Sequence, residues 1–96
     1  DEEEFLSGDT GDWRKIVTHM RRVLAILSEL GDDVAPISIN ISEDPHVGSF
    51  QMSSILPITS FDSQKLLEVG SLSKRCALLK KFLVNLEETA TSRLLG

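Results

Sequence analysis

The run from Leu56 to Leu79 restricts this chain more than any other stretch. Its punctuation leaves room for one short helix and the start of a long one. Pro57 has no backbone N–H to donate and steers Leu56 away from helical angles, so any preceding helix ends there. Thr59 and Ser60 are both favourable N-cap types, and Thr59 with Asp62 three residues later fits a capping box. Gly70 is expected to supply the left-handed residue that closes the short helix, and Ser71 can cap the next one.

Helical periodicity on either side of this stretch completes an all-α pattern. Trp13, Ile16, Val17, Met20, Val23, Leu24, Leu27 and Leu30 fall on one face of a helix, with Asp12 as its expected N-cap and Gly31 as its stop. Arg14, Lys15, Thr18, Arg21, Arg22 and Glu29 lie opposite, with His19 read as a surface residue at the edge. This basic face is either solvated, met by an acidic partner, or crossed by the acidic run Asp1-Glu2-Glu3-Glu4. Asp44-Pro45 is a good N-cap followed by Pro at the first helical position, which predicts a helix from about Pro45 to Leu56. Gly48 and the serines at 49, 53 and 54 make it a poor former, so Val47, Phe50, Met52 and Ile55 are expected to hold it to the core. Phe61, Leu66, Leu67 and Val69 give the short helix its apolar side. A last helix runs from Leu72 to about Arg93, on a stripe of Leu72, Cys76, Leu79, Leu83, Leu86, Ala90 and Leu94 broadened by Leu78 and Phe82.

The segment from Asp32 to Asp44 fits this pattern least. Ile37, Ile39 and Ile41 alternate with Ser38, Asn40 and Ser42, which suits extended chain. A lone strand leaves its backbone groups without partners. Either the isoleucines plug the core from a loop, or the segment pairs with something outside the chain. The expected fold is therefore all-α: a small four-helix bundle over residues 12–96, with the two long helices packed together and the two short ones closing one end. Residues 1–11 read as an acidic flexible linker in which Phe5 and Leu6 are the side chains able to dock.

Composition narrows the functions. A net charge of −5 disfavours a general nucleic-acid binder, because phosphate contacts need clustered Lys and Arg. The single cysteine excludes an internal disulfide and suits a reducing, cytoplasmic setting. No apolar run approaches the roughly 20 residues of a membrane span. The chain opens at Asp1 without a methionine or leader pattern, so it reads as a trimmed or excised piece.

One residue breaks the patterning. Arg75 falls on the apolar stripe of the last helix, between Leu72, Leu78 and Leu79, where a guanidinium must be paired. Glu68 across the Gly70 break is the expected partner, with Gln64 one turn earlier as a further acceptor. The expected role is a structural Glu68–Arg75 staple between two helices. No catalytic, cofactor or metal site is expected. Cys76 and His19 could in principle form a nucleophile and base. Cys76 lies on the apolar stripe, however, where a free cysteine behaves as a small hydrophobe. Asp32, Asp33, Glu43, Asp44 and His46 match neither calcium nor zinc spacing.

Leu56-Pro57, Gln64-Lys65-Leu66-Leu67-Glu68 and Arg75 to Leu79 together resemble the end of the N-terminal, substrate-binding domain of Lon proteases. The family pattern there runs Leu-Pro, Gln-x-Leu-Leu-Glu, then Arg-x-x-x-Leu, and the likeness is best from about Ser49 to Glu87. Such domains join a mainly β half to a helical bundle ending in a long helix, and similar domains occur without a protease, as in cereblon. The resemblance implies the helical half of a larger α+β domain. It implies a non-catalytic module that binds unfolded or hydrophobic protein segments and the β half absent from this sequence. The parent could then be an ATP-dependent serine protease. Phe5, Leu6, Ile37, Ile39 and Ile41 are the apolar residues expected to meet a partner, and self-association is the other outcome open to them. A structural helical domain sharing only the packing pattern is the alternative.

Overall fold

A computed structural model describes residues 10–96, with side chains from Asp12 onward. The described chain is all-α, with four helices: α1 (Thr10–Glu29), α2 (Pro45–Ile55), α3 (Ser60–Glu68) and α4 (Leu72–Leu95). The acidic run, Phe5 and Leu6 lie outside the described residues. Helix α1 starts earlier than its sequence signal, so Asp12 sits in its first turn rather than capping it. Its carboxylate instead takes Lys80 Nζ at 2.9 Å.

The long helices α1 and α4 run parallel. Asp12 meets Lys80 and His19 meets Glu87 at the same separation of 68 residues, so the register holds along the pair. Trp13, Ile16, Met20, Val23, Leu24 and Leu27 of α1 bury against Leu72, Cys76, Leu79, Leu83 and Ala90 of α4. Burying a side chain of this size contributes about 1.5–3 kcal/mol, so this seam is the main source of stability. His19, expected at the surface, is partly buried there, with Nε2 2.5 Å from Glu87 Oε1.

A parallel pair needs its chain carried back from the end of α1 to the start. Gly31, at φ 86°, turns the chain out of α1; its N–H bonds Ser28 O and that of Asp32 bonds Leu27 O, which is a Schellman motif. Residues 32–44 then return along α1 as a strap. The strap finds its backbone partners in side chains rather than in another strand. Arg21 Nη1 donates to the carbonyls of Ile37 and Ile39, and Trp13 Nε1 donates to Ser42 O at 3.0 Å. Ile39 and Ile41 pack on the core, while Ile37 stays half exposed. The first of the two sequence alternatives, isoleucines plugging the core from a loop, is therefore the arrangement of the described chain.

Helices α2 and α3 form a hairpin that bridges back to α4. Asp44 Oδ1 caps α2 by accepting from His46 N at 3.0 Å, and Thr59 Oγ1 caps α3 by accepting from Asp62 N at 3.1 Å. The face of α2 turned inward is only partly the expected one, since Met52 is buried and Ile55 packs on the core as the sequence suggested. Gly48, Ser49, Met52 and Ser53 are buried, whereas Val47 and Phe50 point outward. Likewise only Leu66 of the apolar residues within α3 is buried, and Phe61 and Leu67 are exposed. The reason is close approach: a Cβ on Gly48 would stand 2.4 Å from the Trp13 ring, so nothing larger fits. The inward hydroxyls are satisfied locally, Ser53 Oγ donating to Ser49 O at 2.7 Å and Ser49 Oγ to His46 O at 3.2 Å.

Gly70 departs from expectation as well. Gly31 is the one described residue at positive φ, and α3 ends because Val69 turns extended at φ −66°, ψ 136°. A Cβ on Gly70 meets nothing within 4 Å. Gly31→Ala should thus cost about 1–2 kcal/mol of unfolding free energy. Gly70→Ala should be neutral or stabilise by about 0.4–1 kcal/mol, through the unfolded chain. Urea denaturation of the two variants distinguishes them, and equal losses would contradict the assignment.

Two surface clusters predict the acid behaviour. The hydrogen bonds with His19 and then Arg22 hold the Glu87 carboxyl below its ordinary 4.5, and the hydrogen bond from Arg93 holds Asp32 below 3.8. Both folded-state values are depressed, so the stabilisation is present above the ordinary carboxylate range and is lost as pH falls through the depressed values. Glu87→Gln combined with Asp32→Asn should flatten the acid limb of a melting-temperature profile. At neutral pH the change should be small, because solvent screens both clusters.

Candidate functional site

The C-terminal turn of α3 presents carbonyls that no following helical N–H can reach. Arg75, one turn into α4, supplies the missing donors. Its Nε donates to Leu66 O at 3.0 Å, Nη2 to Val69 O at 3.0 Å and Nη1 to Ser49 Oγ at 3.4 Å. The Phe50 ring lies over the guanidinium with its centroid 4.1 Å from Cζ. At 6% exposure the charge is buried, yet it is solvated by the negative end of α3 and the face of an aromatic ring. One side chain thereby fastens α2, α3 and α4 together.

Glu68 is not the partner that the sequence suggested. Its carboxylate is exposed and accepts from Gln64 Nε2 at 3.0 Å, on the outside of α3. The expected staple is real in role but wrong in partner. The guanidinium reaches inward to main-chain oxygens, where carbonyls otherwise left without donors gain most from a cation. Of the other motif residues, Leu56, Leu66 and Leu79 are buried in the core, and Pro57 and Leu67 are exposed.

The remaining chemical candidates do not assemble. Cys76 is buried in the seam, and burial pushes its thiol up to about 11, far from a thiolate at neutral pH. His19 is engaged with Glu87, which lies about 16 Å of helix rise from Cys76 along α4. Asp32 is held by Arg93, and Asp44 caps α2. No group of three His, Cys, Asp or Glu residues among those described stands close enough to hold a metal ion. No described helix is long and apolar enough to cross a membrane.

Two surfaces among the described residues combine exposed apolar side chains with fixed cations. The first surrounds the Arg75 junction. Phe50 caps the guanidinium from outside at 44% exposure, with Val47 one turn earlier on α2 at 49%. Because that guanidinium binds Leu66 O and Val69 O, Phe50 stands beside the end of α3 that carries Leu67, exposed at 41%. Phe61, the most exposed aromatic among the described residues, lies at the other end of α3 with Lys65 Nζ 5.5 Å from its ring. The second surface is a groove of about 370 Å³ between α1 and the strap, lined by Trp13, Arg14, Val17, Arg21 and Ile41 among others. Sequence reasoning assigned Val47 and Phe50 to the core, and so missed the first surface. The signal was present in Gly48, Ser49 and Ser53, small residues that share one face of α2 and mark the close-packed side.

Comparison with protein families, with characterised proteins and with solved structures brought out no match to this chain.

Proposed function

We propose that the chain is a non-catalytic protein-binding module, the helical part of a substrate-recognition domain of Lon type. The observation that carries the binding function is the exposure of Val47, Phe50 and Leu67 around a junction that is otherwise closed. Phe50 in particular is held in place by Arg75, so the apolar surface is presented without an ordering cost for that ring. An apolar surface of this kind suits hydrophobic segments of unfolded protein, or the β half of a larger domain. Support for the Lon-type descent is the resemblance itself, whose residues Leu56, Leu66, Arg75 and Leu79 are all buried. The single buried cysteine suits a cytoplasmic setting.

An NMR titration with an uncharged, apolar, disordered peptide tests this function. Shifts should cluster on Val47, Phe50 and Leu67, with affinity near or weaker than about 10⁻⁴ M, because ordering the peptide offsets much of the contact energy. Phe50→Ser should abolish them. Absence of shifts at millimolar peptide would leave a purely structural helical domain as the better account.

A further inference from the structure

The second surface concentrates positive charge in an acidic protein. Helix α1 carries Arg14, Lys15, Arg21 and Arg22, four of the ten Lys and Arg in a chain of net charge −5. Of the acidic residues on that helix, Asp12 is taken by Lys80 and Glu29 lies at its last turn. Arg14 and Lys15 are exposed and enter no ion pair among the described residues. Arg14 and Thr18 line two neighbouring hollows, the groove against the strap and a shallower one that adds Lys15, His19 and Arg22. The cations therefore border one continuous strip.

The groove is also preformed. Arg21 is fixed by the carbonyls of Ile37 and Ile39 and keeps its full charge, because those partners are neutral. Trp13 is fixed by Ser42 O, and Ser42 N donates to Gln51 Oε1 at 2.8 Å, which ties this wall to α2. Between these pinned side chains Val17 and Ile41 give the groove an apolar floor. Its volume lies at the small end of the range of ligand pockets, enough for one or two side chains.

We infer that this groove takes an acidic peptide segment carrying an apolar side chain, the carboxylates along Arg14 and Lys15 and the apolar group over Val17 and Ile41. Charge complementarity selects the sign of the partner, and the apolar floor selects a peptide over a polyanion. This surface is separate from the Phe50 surface and its test is independent of that one.

The probe is a fluorescein-labelled peptide with the sequence of residues 1–8, three glutamates and an aspartate followed by phenylalanine and leucine. Anisotropy is followed at low ionic strength with the whole chain. The chain carrying Glu2→Gln, Glu3→Gln and Glu4→Gln is measured in parallel, so that its own acidic run cannot compete. Binding on the order of 10⁻⁴ M is expected for the latter chain, since exposed charge pairs and one apolar contact supply little more. Arg14→Ala with Lys15→Ala should weaken it about tenfold, a loss of about 1.4 kcal/mol, and raised salt should weaken it likewise. Replacing phenylalanine and leucine of the peptide by serine should also weaken it. No binding by either chain overturns the inference. So does binding indifferent to Arg14 and Lys15, or tighter binding of an oligodeoxythymidine of equal charge.

Discussion

Gly48→Ala should lower the unfolding free energy by about 2–3 kcal/mol, a large loss for the addition of one methyl group. On an exposed helix this change stabilises by up to about 1 kcal/mol, because alanine is the better helix former. Here the added Cβ would lie 2.4 Å from Trp13 Cζ2 and 2.7 Å from Ser42 O. Neither neighbour can yield cheaply. The tryptophan ring is buried and hydrogen-bonded to that same Ser42 carbonyl, and the carbonyl belongs to the strap whose backbone Arg21 and Gln51 also hold. Relief of the clash must therefore displace α2 from α1 or break the Trp13–Ser42 bond. Urea denaturation measures the loss, and a red shift and broadening of the single tryptophan's emission should accompany it. A stabilised Gly48→Ala variant would mean that α2 does not approach α1 so closely.

Arg75→Ala should cost about 3–5 kcal/mol, the larger of the two effects. The change removes charge-assisted hydrogen bonds worth about 1.5–3 kcal/mol each and leaves the carbonyls at the end of α3 without donors. A domain of this size holds only roughly 5–13 kcal/mol in all, so the variant should be partly unfolded at modest temperature. Arg75→Lys should recover little, because an ammonium is a point charge and cannot span Leu66 O, Val69 O and Ser49 Oγ as the planar fork does. Glu68→Ala should fall within about 0.5 kcal/mol of the parent, as expected for an exposed surface residue.

What the sequence disclosed follows from what side-chain patterns can encode. The seam of α1 and α4 was legible because Trp13 to Leu27 and Leu72 to Ala90 repeat at helical spacing, and burial follows that repeat. The caps at Asp44, Thr59 and Ser71 were legible because their hydroxyl and carboxylate chemistry is local. Helix α2 was legible only in part, because ranking residues by hydrophobicity sends Val47 and Phe50 inward. Backbone proximity at Gly48 reverses that order. Arg75 was recognisable as buried from its place on an apolar stripe, but its partners were invisible. A sequence displays carboxylates and hides the carbonyls that a helix end leaves without donors. The strap was half legible: the alternating isoleucines indicated extended chain, while the donors that satisfy it, Arg21 and Trp13, lie on α1 and were read as surface and core.

The central claim is that the Arg75 guanidinium is held by the end of α3 and by Phe50, not by a carboxylate. Double-mutant cycles on unfolding free energy test it most directly. Arg75→Met paired with Phe50→Leu should show a coupling of about 0.5–1 kcal/mol or more, since the cation–π contact exists only with both residues present. Arg75→Met paired with Glu68→Ala should be additive within about 0.3 kcal/mol. Strong coupling to Glu68 together with additivity at Phe50 would contradict the account.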